Sequence, residues 1–166
     1  MSATFATAAT TIERGCPGRK IFVKTIVISL LKGGVGKTFF ATHLAWYLAE
    51  QAGRRVAYID LDPQGSSTRR LAKERNGWFS ADLFDPEAKL VLEDAPGITV
   101  FGADPRLQMV KAAEDVHDFI GRFRGLPKHF DYCVIDTGPK WDELTLSAMA
   151  VADEVIAPVQ VAEDSI

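Results

Sequence analysis

The sequence predicts an α/β fold, a mostly parallel sheet with helices on both faces, and three observations carry that expectation. Short β-branched and apolar runs alternate with segments of helical spacing through most of the chain. A glycine-rich turn joins the first apolar run to the first helix-like segment, which is the start of a βαβ unit. Two later apolar runs end in aspartate, and ligands of open α/β sheets bind at the carboxyl ends of strands.

Residues 1–20 are small and polar without periodicity, so they read as a loose arm ahead of one domain spanning 21–166. The run 21–31 is apolar and β-branched, as expected of a strand buried on both faces. After the glycine turn, Phe40, Leu44 and Leu48, with Ala41 and Ala45, recur at helical spacing as far as Gly53. Residues 56–60 form a second buried strand, and 66–75 read as a helix. The stretch 76–97 holds several turn formers and predicts no element. Beyond it the pattern gives strand 98–102, helix 107–123, strand 132–136, helix 143–152 and strand 155–158. No repeat or linker divides the chain.

At 166 residues the chain can bury roughly 70% of its unfolded surface, enough for one substantial core. A hydrophobic content of 47% and a net charge of −3 are ordinary for a globular protein and give no global pull toward nucleic acid or membrane. Cys16 and Cys133 have no metal-type spacing, and Cys133 sits in an apolar run as a small hydrophobe would. His43, His117 and His129 are scattered and read as structural or solvent-facing. With no bilayer-length apolar stretch and no secretory leader pattern, the expected setting is cytoplasmic.

The chemistry concentrates in Lys32-Gly33-Gly34-Val35-Gly36-Lys37-Thr38. The common phosphate-loop pattern would place a glycine where Leu31 stands, so the strict form fails and a variant opening on Lys32 takes its place. Glycines let the backbone turn sharply and bring N–H groups toward phosphate oxygens, and the helix that follows adds its positive end. Lys37 can set its ammonium against the outer phosphates, and Thr38 can offer a hydroxyl to Mg²⁺. A bare strand-to-helix connection is the alternative, but it would not require two lysines and the threonine.

Asp60-Leu61-Asp62-Pro63-Gln64-Gly65 closes the second strand. Strand alternation points Asp60 and Asp62 to one side, and Pro63 and Gly65 favour a turn able to sense a terminal phosphate. The alternative is that such an aspartate caps the next helix, and for Asp60 the two readings stand level. Asp136, ending the run 132–136, has the form of a Walker B acid that holds Mg²⁺ directly or through water. Thr38, Asp62 and Asp136 are therefore the candidate metal set, and residues 32–39, through Phe39, the candidate nucleotide-binding run.

These motifs, with Asp136-Thr137-Gly138-Pro139 and the stretch 152–160, resemble the ParA family of partition ATPases from about Ile21 to the end. The resemblance implies a deviant Walker A ATPase that dimerises face to face on ATP. It implies that Lys32 reaches the partner's nucleotide, and that Asp62 supports the attacking water. It further implies nonspecific DNA binding by the ATP-bound homodimer, release by a ParB-like adaptor, and a role in plasmid or chromosome partition. Phe39 and Phe40 stand where relatives often carry threonines, and Gly138 where many carry proline. The chain ends at Ile166, where members of the family continue through segments that complete the adenine pocket and much of the DNA-binding face.

Arg69, Arg70, Lys73 and Arg75 form the dense basic cluster, read as a solvated helix face ahead of a DNA contact. Arg122, Arg124 and Lys128 complement a helix end. Three other readings remain open at the level of sequence. One is a membrane-site regulator resembling MinD, which fits less well because Pro63-Gln64-Gly65 is present and no amphipathic terminal helix is visible. Another is a metabolic enzyme of the wider superfamily, a ligase rather than a reductase, since the cysteines supply no cluster site. The last is a nonhydrolysing, truncated relative.

Overall fold

The computed structural model describes residues 23–92, 95–126 and 129–159, with the side chains of residues 75 and 76 left aside. The expected arm, Ile21, Cys16, Lys128 and Gln160 lie outside the described residues. Six strands form one sheet: β1 Lys24–Ile28, β2 Arg55–Leu61, β3 Arg75–Phe79, β4 Gly97–Gly102, β5 Tyr132–Thr137 and β6 Glu154–Ile156. Their spatial order is β3-β4-β2-β5-β1-β6, and every pairing is parallel. The helices are α1 Lys37–Trp46, prolonged by a wide turn Tyr47–Gln51, then α2 Ser66–Arg70, α3 Ala113–Phe123 and α4 Glu143–Ala150.

Each central strand is buried on both faces, so its alternate side chains feed two separate cores. Ala57, Ile59 and Leu61 of β2, Cys133 and Ile135 of β5 and Phe101 of β4 meet Phe119 and Phe123 of α3 and Leu144 and Ala148 of α4. On the other face Val56, Tyr58, Val100 and Val134 meet Ala41, Ala45 and Leu48 of the first helical segment, with Leu71 just past α2. The expected layers, helices on both faces of a parallel sheet, are present. Cys133 is buried as expected, and burial pushes its thiol up, out of the reactive range.

Several boundaries differ from the sequence pattern. The first strand stops at Ile28 rather than residue 31, because the chain turns into the glycine loop there. The helix expected over 66–75 ends at Arg70, and Arg75 opens β3, in the stretch that predicted no element. Trp78 of β3 packs on Phe101, ring centroids 6.3 Å apart, and that tertiary contact overrides the local turn signal of Asn76-Gly77. The helix expected over 107–123 is broken. Asp104 caps a short 3₁₀ segment, Pro105–Met109, and Val110 is then extended before α3 begins at Ala113. The Asp115 carboxylate accepts the N–H groups of Lys111 and Ala112, fixing that new start. Finally, α4 ends at Ala150, and β6 covers Glu154–Ile156 rather than 155–158.

Between β2 and β5 the strand entrances are tied by Asp131, which accepts from Arg55 N, Nε and Nη2 at 2.9, 3.3 and 3.0 Å. Burial alone would raise the Asp131 carboxyl, but these Arg55 donors outweigh it and hold the group below its ordinary value of 3.8. A carboxyl with a depressed folded pKa contributes stability that is present above the unfolded value and is lost as pH falls through the folded one. Asp131→Asn should therefore flatten the loss of stability below about pH 4 in urea titrations at stepped pH, while lowering stability at neutral pH. Phe119, fully buried between Phe84 and Phe123, sets the scale for the core. Phe119→Ala should cost about 3–5 kcal/mol in the same measurement.

Candidate functional site

The loop between β1 and α1 takes its shape from two glycines with positive φ, Gly34 at 73° and Gly36 at 89°, which only glycine adopts without strain. A Cβ at Gly33, Gly34 or Gly36 would meet no atom within 4 Å, so the concave side of the loop is open. Val35 is buried and anchors it. Gly36 caps α1 without a side-chain hydrogen bond, and the first turn holds no acidic residue. The unpaired N–H groups and positive end of a ten-residue helix therefore face the loop with nothing to neutralise them.

Lys37 is buried, and its Nζ donates to the Lys32 carbonyl 3.0 Å away, folding the ammonium back over the loop. Lys32 itself is exposed. Thr38 lies beside Asp136, where its hydroxyl favours the charged carboxylate. Thr42, fully buried one turn later, donates to the carbonyls of Thr38 and Phe39 and holds the first turn. The Phe39 ring is directed along the helix surface, exposed and stacked on His43 with centroids 3.9 Å apart. Within the candidate run Phe39 can offer its backbone, while its ring belongs to the outer face of α1.

The sheet brings the acidic residues to this loop. Ile28 pairs with Asp136, and Asp136 with Asp60, so the end of β1 and both carboxylates share one row. By strand alternation Asp60 and Asp136 point to the face that carries Tyr58 and Val134, under α1 and α2. The two carboxylates then part company. Asp60 is fully buried and saturated, accepting from Asp62 N at 3.1 Å, Thr68 N at 2.9 Å and Thr68 Oγ1 at 2.6 Å. This is the capping reading of Asp60. Burial raises its carboxyl, against the pull of those donors.

Asp136, also buried, keeps only a 3.4 Å bond from the Tyr58 hydroxyl to Oδ2, and Oδ1 has no hydrogen-bond partner. Burial pushes this carboxyl up to about 7, opposed by the Thr38 hydroxyl and reinforced by the nearby charge of Asp60. An orphaned oxygen at the carboxyl edge of a parallel sheet, next to a threonine hydroxyl, suits a divalent cation that takes few protein ligands. Among the described residues no three His, Cys, Asp or Glu side chains converge, so water would complete such a shell. Asp62 is partly exposed; its Oδ1 accepts from Gln64 N at 3.0 Å, and its carboxyl carbon stands 3.6 Å from where a Cβ on Gly138 would be. The turn after β5 is thus in contact with the turn after β2.

Sequence reasoning missed Thr68. Its hydroxyl donates to Asp60 and accepts the Ala103 N–H at 2.8 Å, and its Cγ2 lies 2.9 Å from where a Cβ on Gly102 would stand. The threonine locks α2 to the end of β4. Its only local signal was a threonine in a helix start, which is too common to single out. Arg69 of the basic cluster is bound to the Gln64 carbonyl at 2.7 Å and to Ser66 Oγ at 3.3 Å, so it braces the same turn.

The chain is similar to known proteins of one family and fold. The AAA domain family matches residues 23–166. The chain is 31% identical over 153 residues to the sporulation initiation inhibitor protein Soj of Bacillus subtilis, covering 82% of this chain and 58% of that protein. It is 35% identical over 158 residues to the chromosome partitioning protein ParA of Myxococcus xanthus, covering 89% and 56%. Among solved structures, cobyrinic acid a,c-diamide synthase from Mycobacterium smegmatis with a bound ATP analogue and magnesium superposes with a TM-score of 0.70 at 29% identity, covering 87% of this chain and 63% of that one. The chain spans about half the length of the curated relatives it matches.

The two hydrogen bonds of the Thr68 hydroxyl, to Asp60 and from the Ala103 N–H, can be tested by an isosteric change. Thr68→Val should lower stability by about 1–3 kcal/mol in urea unfolding, because Asp60 and the Ala103 N–H are left buried without that partner.

Proposed function

The chain belongs to the AAA domain family, in its ParA-like branch, and on that premise we propose that it is an ATPase whose nucleotide state switches it between monomer and homodimer during plasmid or chromosome partition. The observation that carries the reading is the single carboxyl edge on which the glycine loop, Lys37 and the free oxygen of Asp136 converge. In this reading the amides of residues 33–38 and the Lys37 ammonium hold the phosphates. Thr38 and Asp136 would hold Mg²⁺, which would supply charge neutralisation to the phosphates. Asp62, beside the turn after β5, orients the attacking water, and the exposed Lys32 reaches the nucleotide of the partner copy. Slow turnover follows from a site completed only by that copy.

A ParB-like adaptor is the proposed trigger of hydrolysis. DNA is the proposed surface of the dimer, in a cytoplasmic, nucleoid-associated setting. The commitment of Arg69 to the Gln64 turn supports the solvated-face reading of the basic cluster, so DNA contact is not assigned there. Among the described residues no helix is long and apolar enough to cross a membrane, and the Myxococcus xanthus relative is a chromosome partitioning protein. The second observation favours partition over a MinD-like role. The likeness to an ATP-binding synthase favours, as a second reading, a ligase that uses the same loop without a dimer.

Solution mass separates these readings. Asp62→Ala should bind ATP with Mg²⁺ and double in mass, because hydrolysis is slowed, while Lys37→Ala should lose nucleotide binding and stay monomeric. Nucleotide bound at constant mass would favour the synthase-like reading, and tight binding by Lys37→Ala would sink the loop assignment.

A further inference from the structure

Two hydroxyls lie buried under the site, and nothing in the roles above uses them. Tyr58, in the middle of β2, is fully buried with its hydroxyl 3.4 Å from Asp136 Oδ2. Ser67, in the first turn of α2, is also fully buried. Its hydroxyl is near enough to Tyr58, Asp60 and Asp136 to affect all three, yet it forms no hydrogen bond. A core selected for packing alone would hold Phe and Ala at these positions, since burying a hydroxyl without a partner costs about 1–3 kcal/mol. Asp60, one strand away in the same row, shows the contrast: three donors saturate it. Around Asp136, its own Oδ1 and the Ser67 hydroxyl have no hydrogen-bond partner, and the Tyr58 bond is long.

We propose that Tyr58 and Ser67 are positioning residues for Asp136, holding its carboxylate from β2 and from α2 so that Oδ1 stays available to the magnesium shell. This rests on the phosphate-loop reading above. Tyr58 donates to Oδ2 and leaves Oδ1 without a protein partner, while Thr38 lies beside the same carboxylate. Ser67 supplies a hydroxyl able to donate to the same carboxylate or to a water in its shell, and it belongs to the helix that follows the Asp62 turn. The metal side of the site is thereby connected to α2, which Thr68 ties to Asp60 and to Ala103 at the end of β4. Residues that orient metal ligands from behind change metal affinity by about 10–100-fold when removed.

The test is binding of a fluorescent ATP analogue to the full chain, titrated with Mg²⁺ and repeated in EDTA, for wild type, Tyr58→Phe and Ser67→Ala. Both variants keep the shape of the core. The Mg²⁺ concentration for half-maximal enhancement of binding should rise about tenfold in each variant, with affinity in EDTA unchanged. Equal weakening with and without Mg²⁺, together with a lowered melting temperature, would mark the hydroxyls as merely structural and overturn the proposal. So would an unchanged Mg²⁺ requirement in both variants while wild type binds normally. Failure of wild type to bind nucleotide under either condition would instead remove the phosphate-loop reading, and this proposal with it.

Discussion

Strand β5 lies hydrogen-bonded between β1 and β2, and its register sets Ile28, Asp136 and Asp60 on one row across the sheet. Parallel strands end at the same edge, so that row brings the glycine loop after β1, the acid near the end of β5 and the turn after β2 within reach of one another. The pairing is strong because it is dry. Val27, Ile28, Val56, Ala57, Val134 and Ile135 have no exposed surface, which leaves little room for a register slip. A shift of β5 by one residue would turn Asp136 away from α1 and α2 and into the opposite core.

Burial of two carboxylates under those helices has a cost that the surroundings meet unequally. Asp60 receives three donors and becomes the keystone of the turn after β2, holding α2 through Thr68. Asp136 receives one long bond and keeps an oxygen without a partner. Adjacent on neighbouring strands, one is saturated by donors and the other keeps an oxygen to spare. The difference comes from the donors of α2, since β2 and β5 present both side chains in the same manner. Lys37 is likewise met from within the loop, its buried ammonium donating to the Lys32 carbonyl.

The parallel sheet, most of its strands and the glycine loop could be read from the sequence, as could the placing of Lys37, Thr38 and Asp136 at one edge of that sheet. Each depends on local signals: β-branched runs, glycines that need positive φ at Gly34 and Gly36, and an acid closing an apolar strand. Tertiary contact decided the rest. The edge strand β3 exists because Trp78 packs on Phe101 across β4, against a local sequence that signals a turn. The helix expected over 107–123 breaks where the Asp115 carboxylate caps a later start. Whether Asp60 caps or catalyses could not be settled by its place at a strand end. It was settled by Thr68, eight residues away and delivered by the fold. Sequence fixes which groups a strand end can present, whereas the donors that saturate or spare a buried charge come from other elements, and only packing brings them there.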